Sequence, residues 1–144
     1  MSGNWQLSEE LRRQSLAIVS LLVALAALGY NTWRNELTET NRNVRRAGFE
    51  MLVHISELQR VAYLAHFDGD KVAGNPRKGW VEVLVIRDLA TFMPEGDQVR
   101  AETLYTAWND NWNGLGESDL AIAAIDTAIN DLRQDIVLIL EALD

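Results

Sequence analysis

Residues 16–30 read LAIVSLLVALAALGY, with no charge and Ser20 as the one clearly polar side chain. This run constrains the chain more than any other feature. A helix that is apolar all round has no face to turn toward water. It is therefore a membrane span, a cleaved leader or the buried helix of a soluble fold. A span needs about 20 mostly apolar residues. The flanks supply the difference if Leu11 through Trp33 form one helix, with Arg12 and Arg13 reaching out toward headgroups. Trp5 before the run, and Tyr30, Trp33 and Arg34 at its end, mark the two interfaces.

A secretory leader is the main competitor. Ala24-Leu25-Ala26 resembles a small-x-small cleavage site, and the run has leader length. Against this, Glu9 and Glu10 stand beside the two arginines, so the tail lacks the positive charge a leader carries. The expectation is a short polar tail at 1–15, a transmembrane anchor at 16–33 and a helical domain at 34–144.

Within the anchor, Ala17, Ser20, Ala24 and Ala27 are spaced three, four and three, so they line one seam. Lipid gives helices no hydrophobic reason to associate, and small residues let backbones approach closely. The seam is expected to pair with a second copy or with another membrane protein. Orientation is a contest between two signals. Arg34, Arg42, Arg45 and Arg46 follow the anchor, and their number favours a cytoplasmic domain. The layout of a short tail before an anchor favours translocation of the domain. The reading adopted is a bacterial-type inner membrane, single-pass, with the domain on the periplasmic or outer side.

The remaining sequence is patterned for helices throughout. Val44, Gly48, Met51, Ile55, Leu58, Ala62 and Ala65 recur at spacings of four and three, a heptad-type seam. Gly69 is a natural terminator. Asn75-Pro76 is an N-cap followed by Pro at the first helical position. The stretch 80–93 holds Val81, Val83, Val85 and Ile86, which favour a strand by propensity. Its length, its Pro start and the lack of a partner strand favour a helix, expected to be buried on most of its surface. Pro94 starts a further helix, with Val99, Ala101, Leu104, Tyr105, Trp108, Trp112 and Leu115 as its apolar face. Ser118 caps the last helix. Its seam is Ile122, Ile125, Ile129, Leu132, Ile136, Ile139 and Leu143, with Asp126, Asp131, Arg133, Gln134 and Asp135 turned away.

These elements predict an all-α fold: one N-terminal transmembrane helix continuing into an antiparallel four-helix bundle, since short connections make neighbours antiparallel. The last helix then returns toward the membrane. Its five-residue apolar run at 136–140 is wider than a seam requires.

Chemistry is sparse. The chain has 144 residues, a formal net charge of −8 and no Cys. Missing cysteine removes disulfides and thiolate chemistry. The acidic balance argues against nucleic acid, whose phosphates call for a basic surface. His54 and His66 lie about 18 Å apart if they share one helix, too far to hold one metal. Glu50, His54 and Glu57 share a face but lack the Glu-x-x-His pairs of di-iron bundles. They read as a solvated charged face. Residues 109–114 imitate the start of a calcium loop, but the twelfth position is Leu120 rather than a bidentate Glu. Asp68 and Asp70 beside His66 read as a polar turn.

No catalytic, cofactor or metal site is expected. Partners are the lipid bilayer and a membrane protein or a second copy, and a small-molecule ligand stays open. The expected function is that of a non-enzymatic, membrane-anchored accessory or scaffold subunit. The alternative is a ligand-sensing bundle that signals through a partner. Trp112 is a candidate for a partner surface, since Trp is enriched at interface hot spots, and Val137 and Leu140 are candidates because the run at 136–140 would lie near the membrane surface or a partner.

Overall fold

The computed structural model describes the backbone of residues 3–143 and the side chains of residues 14–143. Every regular element among these residues is helical. Four α-helices follow in order: α1 (Gly3–His66), α2 (Pro76–Ala90), α3 (Glu95–Asn111) and α4 (Asp119–Ala142). A single 3-10 turn, Trp112–Gly114, follows α3. By internal packing the chain divides into Met1–Thr40 and Asn41–Asp144.

In the first unit, every described side chain is exposed. Leu16, Ile18, Val19, Leu21, Leu22, Val23, Leu25 and Leu28 are each 56–64% exposed. The helical segment Gln14–His66 contains an 18-residue window apolar enough to cross a membrane, and none of that window is buried. In water each such side chain would forgo about 1.5–3 kcal/mol of burial. Thr32, Thr38 and Thr40 donate their hydroxyls to the carbonyls four residues back, which removes those groups from the list of unsatisfied donors.

The second unit has its own closed core. Residues 41–66 of α1 bury Val44, Met51, Ile55, Leu58, Ala62 and Ala65, the expected seam, together with Ala47 and Val61. From α4 come Ile122, Ile125, Ile129, Leu132 and Ile136, also as expected, with Ala121 and Ala128. Ile139 and Leu143 are only partly covered. The N-terminus of α4 is capped by the Ser118 hydroxyl, which accepts from the Ala121 N–H at 3.2 Å.

The stretch with strand propensity is helical. Its start is set by the Asn75 side chain, which accepts from the Arg77 N–H at 3.0 Å, with Pro76 next in the first turn. It is not buried on most of its surface. Gly79, Val83, Ile86 and Ala90 face inward at spacings of four, three and four, while Val81 and Leu84 are exposed. The valines occupy both faces because a helix samples them every 100°, so a β-branched run says nothing about sidedness.

The inward face of α3 is also different from the expected one. Ala101, Leu104 and Trp108 are buried, but Val99 is 61% exposed. The position one turn before Ala101 is Asp97, and it is 1% exposed. Trp108 is the largest buried side chain, and its indole lies directly on the Cα of Gly79 in α2. Any side chain at 79 would occupy the ring's place, which explains a glycine in the first turns of a helix.

The pairs of helices in this unit run in opposite directions. Near the start of the unit the Arg45 guanidinium donates to the Leu143 carbonyl at 2.7 Å, and Leu140 packs on Gly48. At the far end of α1, His66 meets Leu115 and Asp119. Arg100, early in α3, reaches Asp135 at 2.9 Å and Asp131 at 3.5 Å, both late in α4. The arrangement is bundle-like. Beyond His66 the chain reverses at Gly69, which takes φ +60°, and the Asp70 N–H closes on the Leu64 carbonyl at 3.0 Å.

Candidate functional site

Several polar side chains of the second unit join helices to one another. His54 Nδ1 lies 2.7 Å from Glu82 Oε2, so this histidine crosses to α2 rather than standing on a solvated face. His66 is the last residue of α1 and its side chain is nearly buried. Its Nδ1 faces the Leu115 carbonyl at 2.9 Å and its Nε2 the Asp119 carboxylate at 3.1 Å. The carbonyl can only accept, which makes Nδ1 the donor there.

A longer network joins α1 to α4. Gln59 and Tyr63 both donate to Asp126, at 2.7 and 2.8 Å. Arg133 donates to Gln59 Oε1 at 2.7 Å and to Asn130 at 2.9 Å. Asp126 and Arg133 therefore do not turn away from the rest of the fold. They flank the apolar seam and fix its register against α1. The hydrogen bond to Asp126 is also the main cause that raises the Tyr63 pKa above its ordinary value, with burial adding to it.

Two of the polar turns have structural roles. Asp70 accepts from the N–H groups of Val72 and Ala73, at 2.8 and 2.9 Å. Those bonds, Ala73 first, hold its pKa below the usual carboxylate value. Asn111 folds back onto the Ala107 carbonyl, and the stretch that imitated a calcium loop is the end of α3 passing into its 3-10 turn. Among the described residues, no three His, Asp or Glu side chains gather as metal ligands.

Asp97 is the exception to this tidy pairing. One carboxylate oxygen, Oδ1, is buried without a hydrogen-bond partner, as is Trp108 Nε1. Burial is the first cause that raises the Asp97 pKa above its ordinary value, and the nearby Asp135 charge is the second. The aromatic rings Trp80, Tyr105 and Trp112 pack edge to face with centroids 5.7 and 6.2 Å apart, and the Arg87 guanidinium lies 4.4 Å over Tyr105.

The residues expected to make contacts outside the chain are distributed as follows. Ala17, Ser20, Ala24 and Ala27 are exposed on α1. Tyr30 and Trp33 are exposed with tilted rings 6.1 Å apart, and Arg34 is exposed beside them. Trp5, Arg12 and Arg13 lie outside the residues whose side chains are described.

Trp112, Val137 and Leu140 do not form one surface. Trp112 is half-buried against Trp80, at the end of α3. Val137 and Leu140 do come together, late in α4, where they line a groove of about 280 Å³ with Arg45, Phe49, Leu52 and Glu141. Phe49 is 57% exposed, and Val53, one turn further along α1, is 59% exposed. Neither was singled out by the sequence, because a lone apolar residue among charged ones on a helix surface is ordinary. Only the neighbouring wall of α4 makes them part of a patch. On the other side of α1, Asn43, Arg46, Ala47 and Glu50 form a second groove of about 270 Å³ with Leu89 and Phe92.

No family model, no curated protein and no solved structure matches the chain.

Proposed function

We propose that the chain is a non-enzymatic, single-pass membrane subunit that acts as an accessory or scaffold through helix–helix contacts. The observation that carries this reading is the contrast in α1. Its N-terminal part exposes a long all-round apolar surface, while Asn41–Asp144 closes a core of its own. A domain that is already complete has no use for such a helix except as an attachment.

The second unit is then an antiparallel four-helix bundle held beside the bilayer. Both histidines and the carboxylates of Glu82, Asp119, Asp126 and Asp135 join helices, which suits a rigid spacer or platform. The anchor sits in a bacterial-type inner membrane with the bundle on the periplasmic or outer side.

The test is purification from native membranes in mild detergent, followed by mass and composition of the intact particle. A fixed-ratio particle supports a subunit role. Recovery of the chain in the soluble fraction would end the reading. Orientation is tested by a Val99→Cys variant, since the chain has no Cys and this side chain is exposed. A membrane-impermeant thiol reagent added to intact spheroplasts should label it.

One observation favours a second reading, a ligand-sensing bundle. The groove at Ala47, Leu89 and Phe92 combines an apolar floor with Arg46 and Glu50, the mixture typical of small-molecule sites. A sensor should gain thermal stability with a small molecule, whereas a scaffold gains it only with protein.

A further inference from the structure

The groove between α1 and the end of α2 holds charge of both signs that the fold leaves unused. We propose that it binds a zwitterionic amino acid with an apolar side chain. Arg46 takes the α-carboxylate, Glu50 takes the α-ammonium, and the ligand's side chain lies on Ala47, Leu89 and Phe92. The inference rests on the ligand-sensing reading above and names its ligand class.

The first support is a pairing that does not form. Arg46 and Glu50 stand four residues apart on α1 and both line the groove. Opposite charges at that spacing ordinarily meet on a helix surface. Here neither side chain makes an ion pair or a hydrogen bond among the described residues. Further along α1 the polar groups are taken up: His54 by Glu82, Glu57 by Arg60, and Gln59 and Tyr63 by Asp126. A ligand with a carboxylate and an ammonium on one carbon answers both charges at once. A simple anion or a simple cation answers only one.

The second support is the floor. Ala47 is buried, Leu89 is half-buried and packed on the core, and Phe92 is 60% exposed. An apolar side chain laid here covers the Phe92 ring, and a polar one gains nothing from it. The third is size. The groove holds about 270 Å³, below the roughly 300–1,000 Å³ typical of drug-sized ligands. This suits a single residue and is too small for a helix or a folded partner. Asn43 also lines the groove, and its amide can join Arg46 on the carboxylate.

The test titrates L-leucine into the full chain in mild detergent and follows thermal unfolding, which a ligand of the folded state shifts upward. Isocaproate lacks the ammonium and isoamylamine lacks the carboxylate. Each should bind about tenfold more weakly than leucine, the loss expected for one charge-assisted hydrogen bond. Arg46→Gln should weaken leucine while leaving isoamylamine unchanged, and Glu50→Gln should weaken leucine while leaving isocaproate unchanged. Both residues are exposed, so the variants should melt like the parent without ligand. Equal affinity for leucine and isocaproate would overturn the amino-acid assignment and leave the sensing reading standing. A leucine shift that survives both substitutions would overturn the assignment to this groove. Silence from leucine, isoleucine and phenylalanine would overturn the inference, and the sensing reading falls with it only if other classes of small molecule are silent too.

Discussion

Residues 16–33 and residues 41–66 belong to the same helix by hydrogen bonding, yet they solve opposite problems. In the first stretch large apolar side chains cover the whole circumference and all are exposed. In the second a seam at spacings of three and four is buried, while Phe49, Val53 and Tyr63 stand exposed outside it. Content and arrangement both differ: the second stretch carries Arg42, Arg45, Arg46, Glu50, Glu57 and Arg60, and the first carries no charge. A seam can be covered by neighbours within the chain, whereas an all-round apolar surface needs an apolar medium or several partners. The difference lies in periodicity as well as in hydrophobicity.

The comparison can be broken from either side. The largest effect is expected from the double variant Leu21→Arg with Leu22→Arg. Each charge near the middle of a span costs about 2.5–3.5 kcal/mol on insertion scales. The chain should leave the membrane fraction, while the melting of its helical unit stays unchanged. A double variant that remains membrane-bound would sink the anchor reading. The converse change is Trp108→Ala, which removes the largest side chain of the core at a cost of about 3–5 kcal/mol. Urea unfolding should show the loss, with membrane attachment retained. Gly79→Ala attacks the same contact by overfilling it and should cost about 1–3 kcal/mol.

The smallest effect sharpens the comparison rather than breaking it. Asp97 has a folded pKa raised above its unfolded value by burial and by Asp135. The protonated form is thus favoured in the fold. Its contribution to stability is complete below the unfolded carboxylate pKa and is lost as pH rises through the folded one. At neutral pH the buried charge is a burden. Asp97→Asn should therefore raise the unfolding midpoint at pH 7, on the order of 1 kcal/mol for one badly solvated buried acceptor. Its advantage should shrink as pH falls toward the ordinary carboxylate range. Thermal melts across that range would show it, and a constant offset at all pH values would refute it.

The seams of α1 and α4 were legible because four or more large apolar residues at regular spacing leave one possible face. The helical state of α2 was legible from Asn75 and Pro76, which start it. Its sidedness was not, because valines stand on both the buried and the exposed face. In α3 the apolar Val99 drew the face one way, while the true inward positions run Asp97, Ala101, Leu104 and Trp108 at four, three and four. A carboxylate is seldom assigned to a core on its type alone, since burial of its charge is costly. The groove was half legible. The run at 136–140 pointed to Val137 and Leu140, but Phe49 and Val53 acquire meaning only through a helix about ninety residues away in sequence.

The contact between Arg45 and the Leu143 carbonyl places the two ends of the helical unit side by side. This decides how the unit would bear load. A pull between Asn41 and Leu143 acts across the α1–α4 seam at one end of it, so the pairs part in succession, as in a zipper. Resistance at any moment is set by the next pair alone, first the Arg45 clasp, then Gly48 with Leu140, and later the Gln59–Tyr63–Asp126 network. A load between Asn41 and Ser118, at opposite ends of the antiparallel α1 and α4, would act along the helices and strain these contacts together, in parallel. The unit is thus mechanically soft to a load that parts Asn41 from Leu143 and stiff to one that shears α1 along α4.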